Sequence, residues 1–121
     1  NVRFEWLPKD GHREAVREQY RRARAFLYTP RLKEPFGLQQ AESLACGTPV
    51  IGCNIGSVPE VVEHRLTGYV VEPDALAQAC GASWAIDNAH CRSEAVRRFD
   101  RKVMAAAYVA RYEECLSGGW G

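Results

Sequence analysis

Ala25-Phe26-Leu27-Tyr28-Thr29-Pro30-Arg31-Leu32-Lys33-Glu34-Pro35-Phe36-Gly37-Leu38-Gln39-Gln40-Ala41-Glu42-Ser43-Leu44-Ala45-Cys46-Gly47-Thr48-Pro49-Val50-Ile51-Gly52-Cys53 reads as strand, loop, helix and strand. Ala25 to Tyr28 is a short apolar run closed by Pro30, the pattern of a buried strand. Residues 31–36 form a charged loop ending in Pro35-Phe36. Gly37 to Cys46 has helical spacing, with Leu38, Ala41, Leu44 and Ala45 expected inward, and Gly47 stops it. Pro49 to Cys53 is a second buried strand.

The same rhythm continues on both sides. Downstream, Ser57-Val58-Pro59-Glu60 carries the S-x-x-E capping-box pattern ahead of Val61 and Val62, and Gly68 to Val71 is the last strand. From Asp74 the chain reads as helical in two or three pieces, with breaks near Gly81 and Asp87-Asn88. A final helix over residues 100–115 places Val103, Ala107, Tyr108, Ala110 and Tyr112 along or beside one stripe. Upstream, Ala15, Val16, Tyr20 and Ala23 give one face of a helix over residues 12–24. Before it, Pro8 to Gly11 is a turn with Asp10 as its candidate cap. Val2, Phe4 and Trp6 alternate with Arg3 and Glu5, as in a half-exposed strand at a sheet edge. Strands alternating with helices predict an α/β fold of about four mainly parallel strands, covered by helices through right-handed crossovers and followed by a helical tail. Trp6 and Trp84 are expected in the core or at an interface. Gly47 and Gly68 are expected as helix-stop and turn glycines.

Composition limits the function classes. The 121 residues are 46% hydrophobic and 26% charged, which excludes disordered and fibrous classes. No apolar run is long enough to span a bilayer. Lys and Arg number 16 against 15 Asp and Glu, so overall charge gives no reason to expect nucleic acid. Arg13, Arg17, Arg21, Arg22 and Arg24 interleave with Glu14 and Glu18 at helical spacing and read as a solvated, salt-bridged face. A basic helix binding nucleic acid is the competing reading. Cys46, Cys53, Cys80, Cys91 and Cys115 are odd in number and include no C-x-x-C, so reduced, structural thiols in a cytoplasmic setting are expected. His12, His64 and His90 lack metal-ligand spacing to them, and no metal is expected.

The chemistry concentrates between Glu34 and Glu42. A loop leaving a strand enters a helix whose first backbone N–H groups have no partner within the helix. With the positive end of the dipole behind them they suit a phosphate or a polar sugar edge. Gly37 removes a side chain where a ligand approaches the backbone. Glu34 precedes this helix and Glu42 lies in its second turn. Two carboxylates beside a phosphate are poor phosphate ligands and good acceptors for sugar hydroxyls.

The run E-P-F-G-L-x-x-x-E-x-L-A-C-G-T-P-V-I from Glu34 to Ile51 resembles the signature of family-4 retaining glycosyltransferases of the GT-B fold. The family's E-x7-E pair falls on Glu34 and Glu42. Val2-Arg3-Phe4, Arg21 to Phe26, Gly56 to Val62 and Leu66 to Val71 resemble the neighbouring family segments, and the likeness continues more loosely through Arg98-Phe99 and Tyr108. The resemblance implies a Rossmann-like domain that binds a nucleotide-diphosphate sugar. In it Glu34, the catalytic-site carboxylate, contacts donor-sugar hydroxyls. Phe36, Gly37 and Leu38 lie near sugar and diphosphate, and Glu42 holds the ribose. It implies transfer of a hexosyl group with retention, without metal or cofactor; the nucleotide sugar is the substrate.

The sequence also departs from the family. Trp6 stands where the family often has glycine. The acceptor domain, the first donor-domain strands, the glycine-rich loop and the Arg/Lys pair used on the diphosphate are not in these residues. Residues 1–121 are therefore read as one partial domain, the later part of the C-terminal donor domain, inactive alone. Lys9 and Arg13 are not assumed to replace the missing pair. The strand edge at Val2–Trp6 is expected to pair abnormally or to promote self-association. The alternative function is a non-catalytic Rossmann-like nucleotide-binding or interaction module.

Overall fold

The computed structural model describes residues 11–118. The strand expected at Val2–Trp6, its edge and the Asp10 cap lie outside them. The first helix, α1 (His12–Arg22), begins at Gly11 in the left-handed conformation. It leads to β1 (Phe26–Tyr28), α2 (Leu38–Ala45), β2 (Val50–Cys53), α3 (Val58–Val61) and β3 (Gly68–Val71). Two short 3-10 turns then flank α4 (Leu76–Ala82), and α5 (Asn88–Phe99) and α6 (Arg101–Leu116) follow.

Among the described residues the sheet has three strands in the order β1-β2-β3. Both pairings are parallel: Phe26 opposes Val50 and Tyr28 opposes Gly52, while Val50 opposes Gly68 and Cys53 opposes Val71. Parallel neighbours require crossovers, and α2 and α3 lie within them. The α/β class read from the sequence is the one observed.

The core gathers Tyr28, Leu44, Val50, Val58, Val61, Val62, Ile86, Cys91 and Ala95. Val50 and Ile51 are fully buried, as expected of a central strand. β1 is less covered than its sequence implies: Phe26 is half-buried and Leu27 is 51% exposed, because β1 is the edge of the described sheet. The inward face of α2 also differs from expectation. Gln40, Ser43 and Leu44 are buried, whereas Leu38 and Ala45 are exposed. Hydrogen bonding explains the exchange, since Ser43 Oγ donates to the Thr48 carbonyl at 2.9 Å and Gln40 is likewise bonded. A polar side chain is cheap to bury when satisfied in this way.

Gly68 opens β3, the strand expected there, and an added Cβ would run into the Val50 carbonyl and lie 2.9 Å from Val62 Cγ1. Trp84 is 75% exposed, with the Arg24 guanidinium stacked 3.9 Å from its ring centre. Arg24 also donates to the Ser83 carbonyl, so it leaves the solvated basic face. The break expected near Gly81 is present one residue on, where α4 ends at Ala82 and a 3-10 turn follows. The break at Asp87 is real, and Asp87 Oδ1 caps α5 by accepting from the Ala89 amide at 2.9 Å.

The tail is tied to the body at one end. Arg98 on α5 donates to the carbonyls of Val61, at 3.0 Å, and Glu60, and to the Glu63 carboxylate at 3.2 Å. These are the carbonyls at the C-terminal end of α3, where a cation is favourable. α6 continues from Asp100, which caps it, and every residue of α6 is exposed. The stripe expected there is present in sequence but is not covered by the described residues. No helix among them is long and apolar enough to cross a membrane. Cys46, Cys53, Cys80 and Cys91 form no disulfide.

Candidate functional site

The loops that leave β1 and β2 meet at the carboxyl ends of these parallel strands, the place where open α/β sheets bind ligands. The first carries Glu34, Phe36 and Gly37; the second carries Gly56 and Ser57. Gln40 joins them. Its Nε2 donates to the Phe36 carbonyl and to Ser57 Oγ, both at 3.0 Å, and Ser57 Oγ donates in turn to the Phe36 carbonyl. Ser57 therefore does not form the expected capping box with Glu60; no side chain caps α3. Gln40 is fully buried, and its Oε1 has no hydrogen-bond partner.

Each sequence-predicted residue has a definite place. Glu34 is exposed in the loop, and Tyr28 Oη donates to its Oε2. The backbone of Glu34 lies so close to Gly56 that a Cβ there would be 2.9 Å from the Glu34 carbonyl. Phe36 places its ring edge-on to Phe99, 5.7 Å between centres, and offers its carbonyl to Gln40 and Ser57. Gly37 caps α2 in the left-handed conformation at φ 68°, with no side-chain cap on the helix. A Cβ at Gly37 would fall against the Tyr28 hydroxyl and 2.8 Å from Gln40 Nε2. Leu38, the first residue of α2, is 67% exposed.

Glu42 is exposed one turn further along α2, on a different wall. It lines a cavity of about 450 Å³ between α1 and α2, together with His12, Arg13, Arg17, Tyr20 and Cys46. The structure thus groups Glu34, Phe36 and Gly37 in one cluster and sets Glu42 beside α1.

The surroundings tune three protons. Burial, then the hydrogen bond to Glu34 and its charge, pushes the Tyr28 phenol up to about 12. Burial, with Glu42 and Cys46 nearby, pushes Tyr20 up to about 12. Burial also raises the Cys46 thiol, against the opposing influence of Arg21, Arg17 and Arg92. The arrangement presents a fixed carboxylate, a helix N-terminus free of side-chain caps and a second carboxylate in a cationic cavity. Such a surface can accept from hydroxyls at two separate places and face an anion at the start of α2.

Tyr28, Gln40, Gly56 and Ser57 were not singled out as site residues. Two signals were available. Gln40 stands one helical turn after Phe36, and Tyr28 places a phenol at the end of a buried strand, where a hydroxyl needs a partner.

The family model described as glycosyl transferases group 1 matches residues 1–102, and the chain belongs to that family. It is 52% identical over 40 residues to the N-acetyl-alpha-D-glucosaminyl L-malate synthase of Bacillus anthracis, covering 33% of this chain and 10% of that protein. It is 36% identical over 88 residues to the D-inositol 3-phosphate glycosyltransferase of Mycolicibacterium gilvum, covering 70% of this chain and 20% of that protein. The crystal structure of Anabaena HepE in complex with UDP and glucose superposes with a TM-score of 0.65 at 24% identity, over 85% of this chain and 29% of that one. That likeness is one of fold. The chain thus spans only 10% and 20% of the lengths of these two relatives.

Proposed function

We propose that this chain is the donor-binding part of a retaining, family-4 glycosyltransferase of the GT-B type, forming the later portion of its C-terminal domain. The donor is a nucleotide-diphosphate hexose. The observation that carries this reading is the placement of the Glu34 carboxylate, held by Tyr28, beside the N-terminus of α2 at the carboxyl ends of the strands. Family membership and the fold shared with a protein solved with UDP and glucose support it.

In this reading Glu34 accepts from hydroxyls of the donor sugar. The amides of Phe36, Gly37 and Leu38 and the dipole of α2 face sugar and diphosphate. Glu42 lies five residues beyond Gly37, about 7–8 Å along the axis. That offset is comparable to the span from a donor sugar across a diphosphate to a ribose, so Glu42 takes the ribose diol. The bond from the sugar's anomeric carbon to the diphosphate breaks and a bond to the acceptor oxygen forms on the same face. The departing diphosphate takes the acceptor's proton. Acceptor recognition belongs to a separate domain of the whole enzyme, and this chain alone does not turn over.

The test is steady-state kinetics of Glu34→Gln and Glu42→Gln in an intact enzyme carrying this segment. Glu42→Gln is expected to raise donor KM about tenfold, the loss of one charge-assisted hydrogen bond. Glu34→Gln is expected to lower kcat more than it raises KM. Unchanged kinetics in both variants, with native circular dichroism, removes the assignment.

A further inference from the structure

We propose that Tyr28 is a positioning residue of the donor-sugar site: its buried phenol fixes the Glu34 carboxylate in the orientation that receives a sugar hydroxyl. The inference rests on the donor-site reading of Glu34 given above and adds to it the group that makes that carboxylate usable.

A glutamate in an exposed loop samples many rotamers, and ordering it costs entropy each time a ligand binds. Glu34 escapes that cost because Tyr28 Oη donates to Oε2. A carboxylate has further lone pairs on both oxygens, so this bond orients Glu34 and leaves acceptor capacity for a ligand. Tyr28 is itself packed into the core. It is 8% exposed, belongs to the core cluster, pairs with Gly52 across the sheet and packs on the Phe26 ring at 5.9 Å.

A core aromatic at this position needs no hydroxyl; phenylalanine would fill the same space without desolvating an O–H. The hydroxyl is accounted for by Glu34, and space is kept for it. Gly37 has no Cβ where one would strike the phenol oxygen and lie 2.9 Å from Cζ. The phenol therefore reaches the start of α2 at the point where Glu34 must stand if one ligand is to meet both.

The experiment uses an intact enzyme carrying this segment, with binding of UDP-, GDP- and ADP-glucose and the matching free nucleotides followed by calorimetry at up to millimolar ligand. Variants are Tyr28→Phe, Glu34→Ala and the double variant, each checked for folding by thermal melting. For the best-binding donor, Tyr28→Phe is expected to weaken sugar-nucleotide binding about fivefold to tenfold, the scale of one lost hydrogen bond. The free nucleotide should change less than about twofold, and Tyr28→Phe should add nothing on top of Glu34→Ala, as coupled residues do. If Glu34→Ala weakens binding and Tyr28→Phe does not, the positioning role is wrong and the donor site stands. If Tyr28→Phe lowers the melting temperature and weakens sugar nucleotide and free nucleotide alike, Tyr28 is only structural and the proposal falls. If Glu34→Ala has no effect, or no sugar nucleotide registers, the donor-site reading fails and takes this inference with it.

Discussion

At the scale of single residues, two phenols beside the candidate site and one core thiol keep their protons to high pH. Tyr20 and Tyr28 each ionise near 12 in the folded chain against 10.0 ordinarily, and the buried Cys91 thiol near 11 against 9.0. Over these intervals the folded state holds protons that the unfolded chain has released, so stability falls as pH rises. It is complete below pH 9, declines first through Cys91, and declines further between pH 10 and 12 through the two phenols. Urea midpoints at pH 8, 10 and 11.5 should decrease in that order, and Tyr20→Phe should flatten the last interval. Placement that depends on local spacing was legible beforehand: Glu34 lies in the loop before α2, Gly37 opens that helix and Glu42 lies along it. Gln40 and Ser57 were not legible as partners. Their roles exist only because two loops distant in sequence meet, and Ser57 spends its hydroxyl on the Phe36 carbonyl instead of capping α3.

Helices and strands were easier to place than the surfaces they bury. The boundaries of β2, β3 and α5 follow from apolar runs and an Asp cap. The inward face of α2 did not follow, because apolar spacing cannot anticipate that Ser43 and the Gln40 Nε2 would find buried hydrogen-bond partners. Helix α5 matters most for holding the site in place. It packs against α2, sets Phe99 against Phe36 and spans to α3 through Arg98. Its start depends on Asp87, whose side chain accepts from the Ala89 amide. Asp87→Ala is expected to cost about 1 kcal/mol, measured by denaturant titration. Because the Asp87 carboxylate is remote from Glu34 in sequence and element, the sugar-nucleotide affinity of the folded variant should stay within about twofold.

In the molecule as a whole, protection is graded from sheet to tail. Val50 and Ile51 are fully buried between two strands, whereas α6 is exposed throughout its 16 residues. A helix of that length with no buried face is marginal in water, and elements with few buried contacts open locally at low free energy. Hydrogen exchange followed by mass spectrometry should show the amides of Val50 to Cys53 exchanging slowest and those of Arg101 to Leu116 among the fastest. Equal protection in both would contradict this gradient. The loop that carries Phe36 is exposed, like α6, but it is anchored. Its carbonyl is gripped at once by Gln40 from α2 and by Ser57 from the start of α3, so it cannot swing alone; it can lift only when two separate anchors let go together. Its motion is thereby moved from the nanosecond wandering of a free loop towards the microsecond and slower times of a cooperative opening. If the donor-site reading holds, a sugar nucleotide arriving at this surface meets a wall, not a gate.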